Sequence, residues 1–176
     1  MKSCKVCRTR FEPTRPFQAW CSGECAIALL DRKKAKAAAE DRRHTRAALV
    51  KLKPRAQLVR EAQAAFNAWV RMRDAHESCV SCGRMHEGQW HAGHYRSAGS
   101  RPDLRFDPTN VHKQCAPCNT HLSGNQIPYR VTLLQRIGQA EVDRLEGPAT
   151  GAKLTRDELI ALKAEYVQKR KALEAE

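Results

Sequence analysis

Eight cysteines fall into two sets of four, and no other feature limits the fold as strongly. Cys4, Cys7, Cys21 and Cys25 read as CxxC…CxxxC. Cys79, Cys82, Cys115 and Cys118 read as CxxC…CxxC with a long insertion. Short-spaced thiolate pairs match the soft, tetrahedral preference of zinc, and a four-thiolate site keeps no open position. Each set is therefore read as a structural zinc site. The competing readings are redox pairs or unligated thiols. A thioredoxin-like motif would need one CxxC in a βαβ context, which the sequence lacks. The N-terminus, MKSCKVC, has no apolar signal stretch, and no apolar run approaches the ~18 residues of a membrane span. The expected compartment is the cytoplasm, where disulfides are disfavoured, and no membrane partner is expected.

Metal staples suit this composition. Aromatic residues are 6% of the chain and mean hydropathy is −0.65, so one large hydrophobic core is not expected. The formal net charge of +13 points to a polyanion, with nucleic acid first. The excess sits early. Residues 1–78 hold 18 Lys and Arg against 8 Asp and Glu, while residues 79–147 hold 8 against 6.

The run ALLDRKKAKAAAEDRRHTRAAL predicts an exposed basic helix over about Glu24–Leu49, lying against DNA or simply solvated. Lys53-Pro54 should break it. A second helix is expected from Pro54 or Arg55 to about His76, with Leu58, Ala62, Phe66, Trp69 and Val70 on a packing stripe. A third should start near Pro128 and be interrupted at Gly138. Thr155 to Glu158 matches a capping box, opening a terminal helix that runs to about Ala172. The fold class is α+β, mostly helical. The expected organisation is a zinc unit at 1–25, a basic helical region at 26–78, a zinc-stabilised module at 79–147, and a linker with a C-terminal helix at 148–176.

The insertion between the second cysteine pairs carries the candidate chemistry. Residues 90–125, WHAGHYRSAGSRPDLRFDPTNVHKQCAPCNTHLSGN, resemble the HNH nuclease signature. More narrowly, AGHYR, LRFD, NVHKQC and SGN in combination resemble the lambdoid phage NinG/Rap recombination proteins. That similarity extends to the N-terminal cysteine unit, the helices between, and YRVTLLQRIG. It implies an HNH (ββα-metal) module and a nuclease acting on branched DNA, such as Holliday junctions and D-loops, in a bacterial host. It also allows a phage recombinase as partner.

By this resemblance His94 takes the place of the first signature histidine, on the second hairpin strand, as general base. The alternative is a histidine that merely fills the zinc scaffold. Asn110 matches the central asparagine that braces the loop, unless it is an ordinary turn residue in DPTN. Asn119 matches the last position, which ligates a catalytic ion; His121 competes for that role, with Ser123 nearby. The position before the base is often acidic or histidine, but here it is Gly93. His91 is then the remaining ligand candidate. Residues three apart on a strand face opposite ways, unless Ala92-Gly93 forms a bulge. His112 either orients a metal shell or bonds the backbone. His44, His76 and His86 have no spacing argument and are read as surface or packing residues.

Hydrolysis of a phosphodiester needs an activated water and charge relief at the phosphate. A neutral histidine can supply the first and a divalent ion, Mg²⁺ or Mn²⁺, the second. Arg96, Arg101 and Arg105 flank the site, and guanidinium forks suit phosphate oxygens. Arg105 is equally read as an internal ion-pair partner. Two symmetric nicks in a four-way junction call for a two-fold homodimer. Two rivals stand beside the nuclease: a non-catalytic zinc protein that binds branched DNA and recruits recombination factors, and an RNA-binding zinc module. The second is weakened by the lack of an aromatic stacking platform.

Overall fold

The computed structural model describes every residue except Ala152 and Glu176. The chain divides into two compact units, Met1–Lys53 and Pro54–Glu176. The boundary falls at the predicted Lys53-Pro54 break and splits the basic helical region expected at 26–78.

In the first unit, β1 (Lys2–Ser3) pairs antiparallel with β2 (Arg10–Phe11) around the first cysteine pair. α1 (Gly23–Leu52) follows, with Ser22 as its N-cap accepting from the Cys25 N–H. None of its thirty residues is buried. Ala, Lys and Arg propensity holds this helix rather than packing. It ends where expected, because Pro54 forces Lys53 into extended geometry (ψ 134°).

The second unit has three layers. α2 (Arg55–Arg73) and α4 (Arg156–Glu174) pack together on one side. The middle layer is a two-stranded sheet of β3 (Trp90–His94) and β4 (Val111–Cys115). α3 (Gln126–Glu146) closes the other side. Phe66, Val70, Val111 and Tyr166 form one core between helix pair and sheet. Val80, Tyr95, Leu104, Tyr129, Leu133, Val142 and Leu145 form a second core toward α3. Several small cores replace one large one, as the sparse aromatics required.

Gly138 breaks α3 as predicted, at φ 78° and ψ 167°, a region essentially reserved for glycine. Thr155 and Glu158 make the full capping box. The C-terminal segment is not peripheral: Leu159 and Tyr166 bury against α2, and Lys163 pairs with Glu61 at 2.8 Å. α2 stops at Arg73, short of His76, because Arg73 and Asp74 turn toward the sheet. Arg73 donates to Pro108 O and Val111 O, and Asp74 accepts from the Lys113 N–H.

Candidate metal centres and active site

The four thiols of each set converge, all their sulfurs lying within 4.8 Å of one another. Individual separations are 3.4 Å for Cys7–Cys21, 3.7 Å for Cys21–Cys25 and 3.9 Å for Cys82–Cys115. A tetrahedron with Zn–S bonds of ~2.3 Å has edges of ~3.8 Å, so both groups could hold zinc. A disulfide would need about 2.05 Å, and all eight cysteines are free.

The two CxxC turns are built alike. Arg8 N–H bonds Cys4 O at 3.0 Å, and Gly83 N–H bonds Cys79 O at 2.8 Å. Each closing residue has positive φ, 66° at Arg8 and 68° at Gly83. Backbone N–H groups aim at the sulfurs. The Cys7 N–H leads in holding the Cys4 thiol down to about 6. Burial pushes the Cys79 thiol up, but the N–H groups of Cys82, Cys115 and Ser81 outweigh it and bring it to about 7. In each set a neighbour is pushed the other way, Cys21 chiefly by its hydrogen bond to Cys7 and Cys115 chiefly by burial, both up to about 12, so a bound cation is what would let all four sulfurs ionise together.

The second cysteine set pins the sheet to the turn after it. Register runs without interruption from Trp90↔Cys115 through His91↔Gln114 and Gly93↔His112 to His94↔Val111. There is no bulge at Ala92-Gly93, so His91 and His94 project to opposite faces. His94 also closes the first strand of the pair, not the second; the segment before it is the Cys79–Cys82 turn rather than a strand.

After β4 the chain makes one π-helical turn, Pro117–His121, which carries Asn119 back over the sheet. Such turns are frequent at functional sites. Asn119 Nδ2 lies 2.9 Å from His91 Nδ1. The other ring nitrogen, His91 Nε2, is buried and has no partner among the described residues. The pair borders a cleft of about 520 Å³, lined also by Asn67 and Arg71 of α2 and by Trp90 and Ala92 of β3. His91 and Asn119 supply an imidazole nitrogen and an amide oxygen, donor types that a divalent ion keeping several waters can take.

His94 does not line this cleft. It stands on the α2 face of β3, two residues beyond Ala92, and its Nε2 lies 2.9 Å from Arg105 O. A carbonyl only accepts, so Nε2 carries the proton and Nδ1 holds the lone pair. Burial, with the Arg105 charge adding to it, keeps this imidazole below the usual histidine range and therefore neutral.

Asn110 is fully buried and clasps the loop between the strands. Its Oδ1 accepts from Arg96 N–H, and its Nδ2 donates to Arg96 O and Leu104 O. The Leu104–Arg105 turn so fixed is the one whose carbonyl holds His94.

The predicted arginines divide. Arg101 is committed to the fold: it pairs with Asp103 and donates to Leu145 O and Gly147 O. Among the described residues Arg105 makes no ion pair; its guanidinium donates to Ala98 O and, at 3.4 Å, to Gln63 Oε1. Arg96 lies over the Tyr95 ring. Of the remaining histidines, His112 is buried with Nδ1 3.1 Å from the Tyr129 hydroxyl, which donates to Gly93 O. His86 Nε2 lies 3.4 Å from Cys82 Sγ. His121 is exposed and apart from the cleft lining.

Asn67, Arg71 and Gln114 carried no signal in the sequence. Asn67 and Arg71 look like ordinary solvent-facing helix residues until the fold sets β3 beside them. Gln114 lies inside NVHKQC yet fills the space above Gly93, donating to Ser81 Oγ and Gly124 O. Ser123, Gly124 and Asn125, the SGN motif, all have positive φ, and their turn presents that Gly124 carbonyl.

Two four-cysteine groups, one of them tying a strand pair to a π-helical turn, define a small basic protein organised around candidate metal knuckles. A protein-family model described as Bacteriophage Lambda NinG protein matches residues 1–176, and the chain belongs to the NinG family. Similar proteins include the protein ninG of Salmonella phage P22, 44% identical over 98% of this chain and 93% of that protein. The ninG proteins of Escherichia phage lambda and Escherichia phage 933W are 43% and 42% identical over the same shares. No solved structure matches the chain.

Proposed function

We propose that this chain is a metal-dependent, HNH-type endonuclease that cuts branched DNA, Holliday junctions and D-loops among its substrates, during phage recombination. One observation carries the reading: His91 and Asn119 meet at 2.9 Å beside a cleft, with a buried ring nitrogen that has no partner among the described residues. A buried polar atom without a partner costs about 1–3 kcal/mol; a cation would take up Nε2 once the ring proton moves to Nδ1 and the Asn119 amide turns its oxygen to accept it. Held by these two side chains, Mg²⁺ or Mn²⁺ would offset charge on the phosphate and on the departing oxygen.

His94 is the base in this reading. With Nε2–H given to Arg105 O, its Nδ1 takes a proton from water near neutral pH. The water oxygen bonds to phosphorus, the bond to the leaving oxygen breaks, and that oxygen is protonated from solvent. Asn110 positions the base through the loop it clasps. The strong basic excess before residue 79 supplies sequence-independent attraction to the backbone, which suits recognition by shape. Paired nicks call for a homodimer on the junction.

The second reading, a non-catalytic zinc protein that binds branched DNA, is favoured by His94 standing outside the His91–Asn119 cleft. One experiment separates them. The zinc-loaded chain is incubated with a labelled four-way junction and Mg²⁺ or Mn²⁺, beside His94→Ala and Asn119→Ala. The nuclease reading expects nicking that falls by at least ~100-fold in each variant while binding persists. Cutting that is absent from the unsubstituted chain, or equal in all three, overturns it.

A further inference from the structure

Most guanidinium groups in the second unit are spoken for. Arg73 pairs with Asp74, Arg101 with Asp103, Arg130 with Glu146 and Arg144 with Asp107. Two on α2 are not. Arg60 and Arg71 are exposed and have no hydrogen-bond or ion-pair partner among the described residues. With Ala64 and Asn67 they fall at i, i+4, i+7 and i+11, one helix face, away from the buried Leu58, Ala62, Phe66 and Val70. The stripe spans about 16 Å at 1.5 Å per residue, room for two or three backbone phosphates. Its far end enters the cleft, whose lining Arg71 and Asn67 share with His91 and Asn119 at the edge of β3. Near its middle, Gln63 donates to Asn67 Oδ1 at 2.7 Å and meets the Arg105 guanidinium, whose own carbonyl holds His94.

From this arrangement we propose that Arg60, Asn67 and Arg71 form the track on which a DNA backbone runs along β3, with Arg71 gripping the phosphate beside the one that is cut. The inference rests on the nuclease reading for its second clause alone. α2 is thus both a core helix and a strand guide. Arg71 is placed to hold two phosphate oxygens at once, a geometry that lysine cannot reproduce.

The test is binding of the full, zinc-loaded chain to a labelled four-way junction across a salt series, without divalent ions. Each phosphate deprived of its arginine makes the slope of log K against log salt shallower by ~0.9, so Arg60→Ala/Arg71→Ala should reduce it by about 1.8. Arg84→Ala, which removes an exposed charge on the Cys79–Cys82 turn, should keep the slope. Both track residues are exposed, so melting temperatures should not move. In Mg²⁺ or Mn²⁺, Arg71→Lys should keep the slope but lower the cutting rate at saturating junction by at least ~10-fold, with little change in half-saturation. An unchanged slope in the double variant overturns the track, and so does failure of the unsubstituted chain to bind DNA. A shallower slope with no cutting by any protein leaves the track standing and removes the nuclease reading.

Discussion

Replacing Gly93 with alanine sets a methyl carbon 2.1 Å from Gln114 Oε1 and 2.9 Å from its Cβ and Cδ. Carbon and oxygen in contact need roughly 3.2 Å, so about 1 Å of overlap must be relieved. Gln114 cannot swing aside cheaply. It is fully buried, and its amide donates at 2.6 Å to both Ser81 Oγ and Gly124 O. Rotating it out gives up both bonds, at about 0.5–1.5 kcal/mol each, since Ser81 Oγ still donates to Gly124 O at 3.1 Å. The Cβ overlap survives any rotation and must be met by opening the β3–β4 pair, at about 1–3 kcal/mol. Gly93→Ala should therefore destabilise the second unit by about 2–6 kcal/mol, or roughly 6–30 °C in melting temperature for a unit of this size. Urea and thermal unfolding of the zinc-loaded chain, followed by tryptophan fluorescence, measure this. Removing the amide in Gly93→Ala/Gln114→Ala should make the double variant at least ~1 kcal/mol less damaging than the two singles added. A Gly93→Ala melting temperature within 3 °C or so of the unsubstituted chain would refute the packing argument. Strict additivity in the cycle would equally refute the role given to Gln114.

Two further outcomes are expected. Burial, reinforced by the Arg73 charge, holds His112 down to about 4, below its ordinary 6.5. The unfolded chain then binds more protons between those values, so His112 contributes stability above pH 6.5 that is lost as pH falls toward 4; urea unfolding should show this slope, and His112→Gln should flatten it. For the metal centres, mass spectrometry under native conditions should find two zinc ions per chain. Cys4→Ser and Cys79→Ser should each lose one, and chelation should melt the β3–β4 layer by circular dichroism, because several small cores do not replace a removed staple. Full structure without zinc would refute the reading of these sets as staples.

Local rules made much of this chain legible. The spacing of Cys4, Cys7, Cys21, Cys25 and of Cys79, Cys82, Cys115, Cys118 was enough to pair them, because two residues between ligands allow one tight turn and little else. Pro54, Gly138 and the Thr155–Glu158 box marked helix ends through backbone sterics and capping, which need no distant partner. The stripe on α2 announced a buried face through its period. Those features depend on residues within about one turn of each other.

What the sequence left open depends on which segments lie side by side. It offered Arg101 and Arg105 to phosphate, but folding sets Arg101 against Asp103 and the end of α3, and Arg105 against Ala98. It allowed a bulge that would bring His91 and His94 to one face; unbroken pairing with β4 keeps them apart. It marked Gly93 only as a departure from the signature, and only packing shows Gln114 occupying its side-chain space. It held no sign of Arg71, since a solvent-facing arginine on a helix becomes part of a cleft solely when a strand is laid against it. Chain-local chemistry is written in spacing; convergence is decided by packing, where distant side chains compete for the same volume and the same hydrogen bonds.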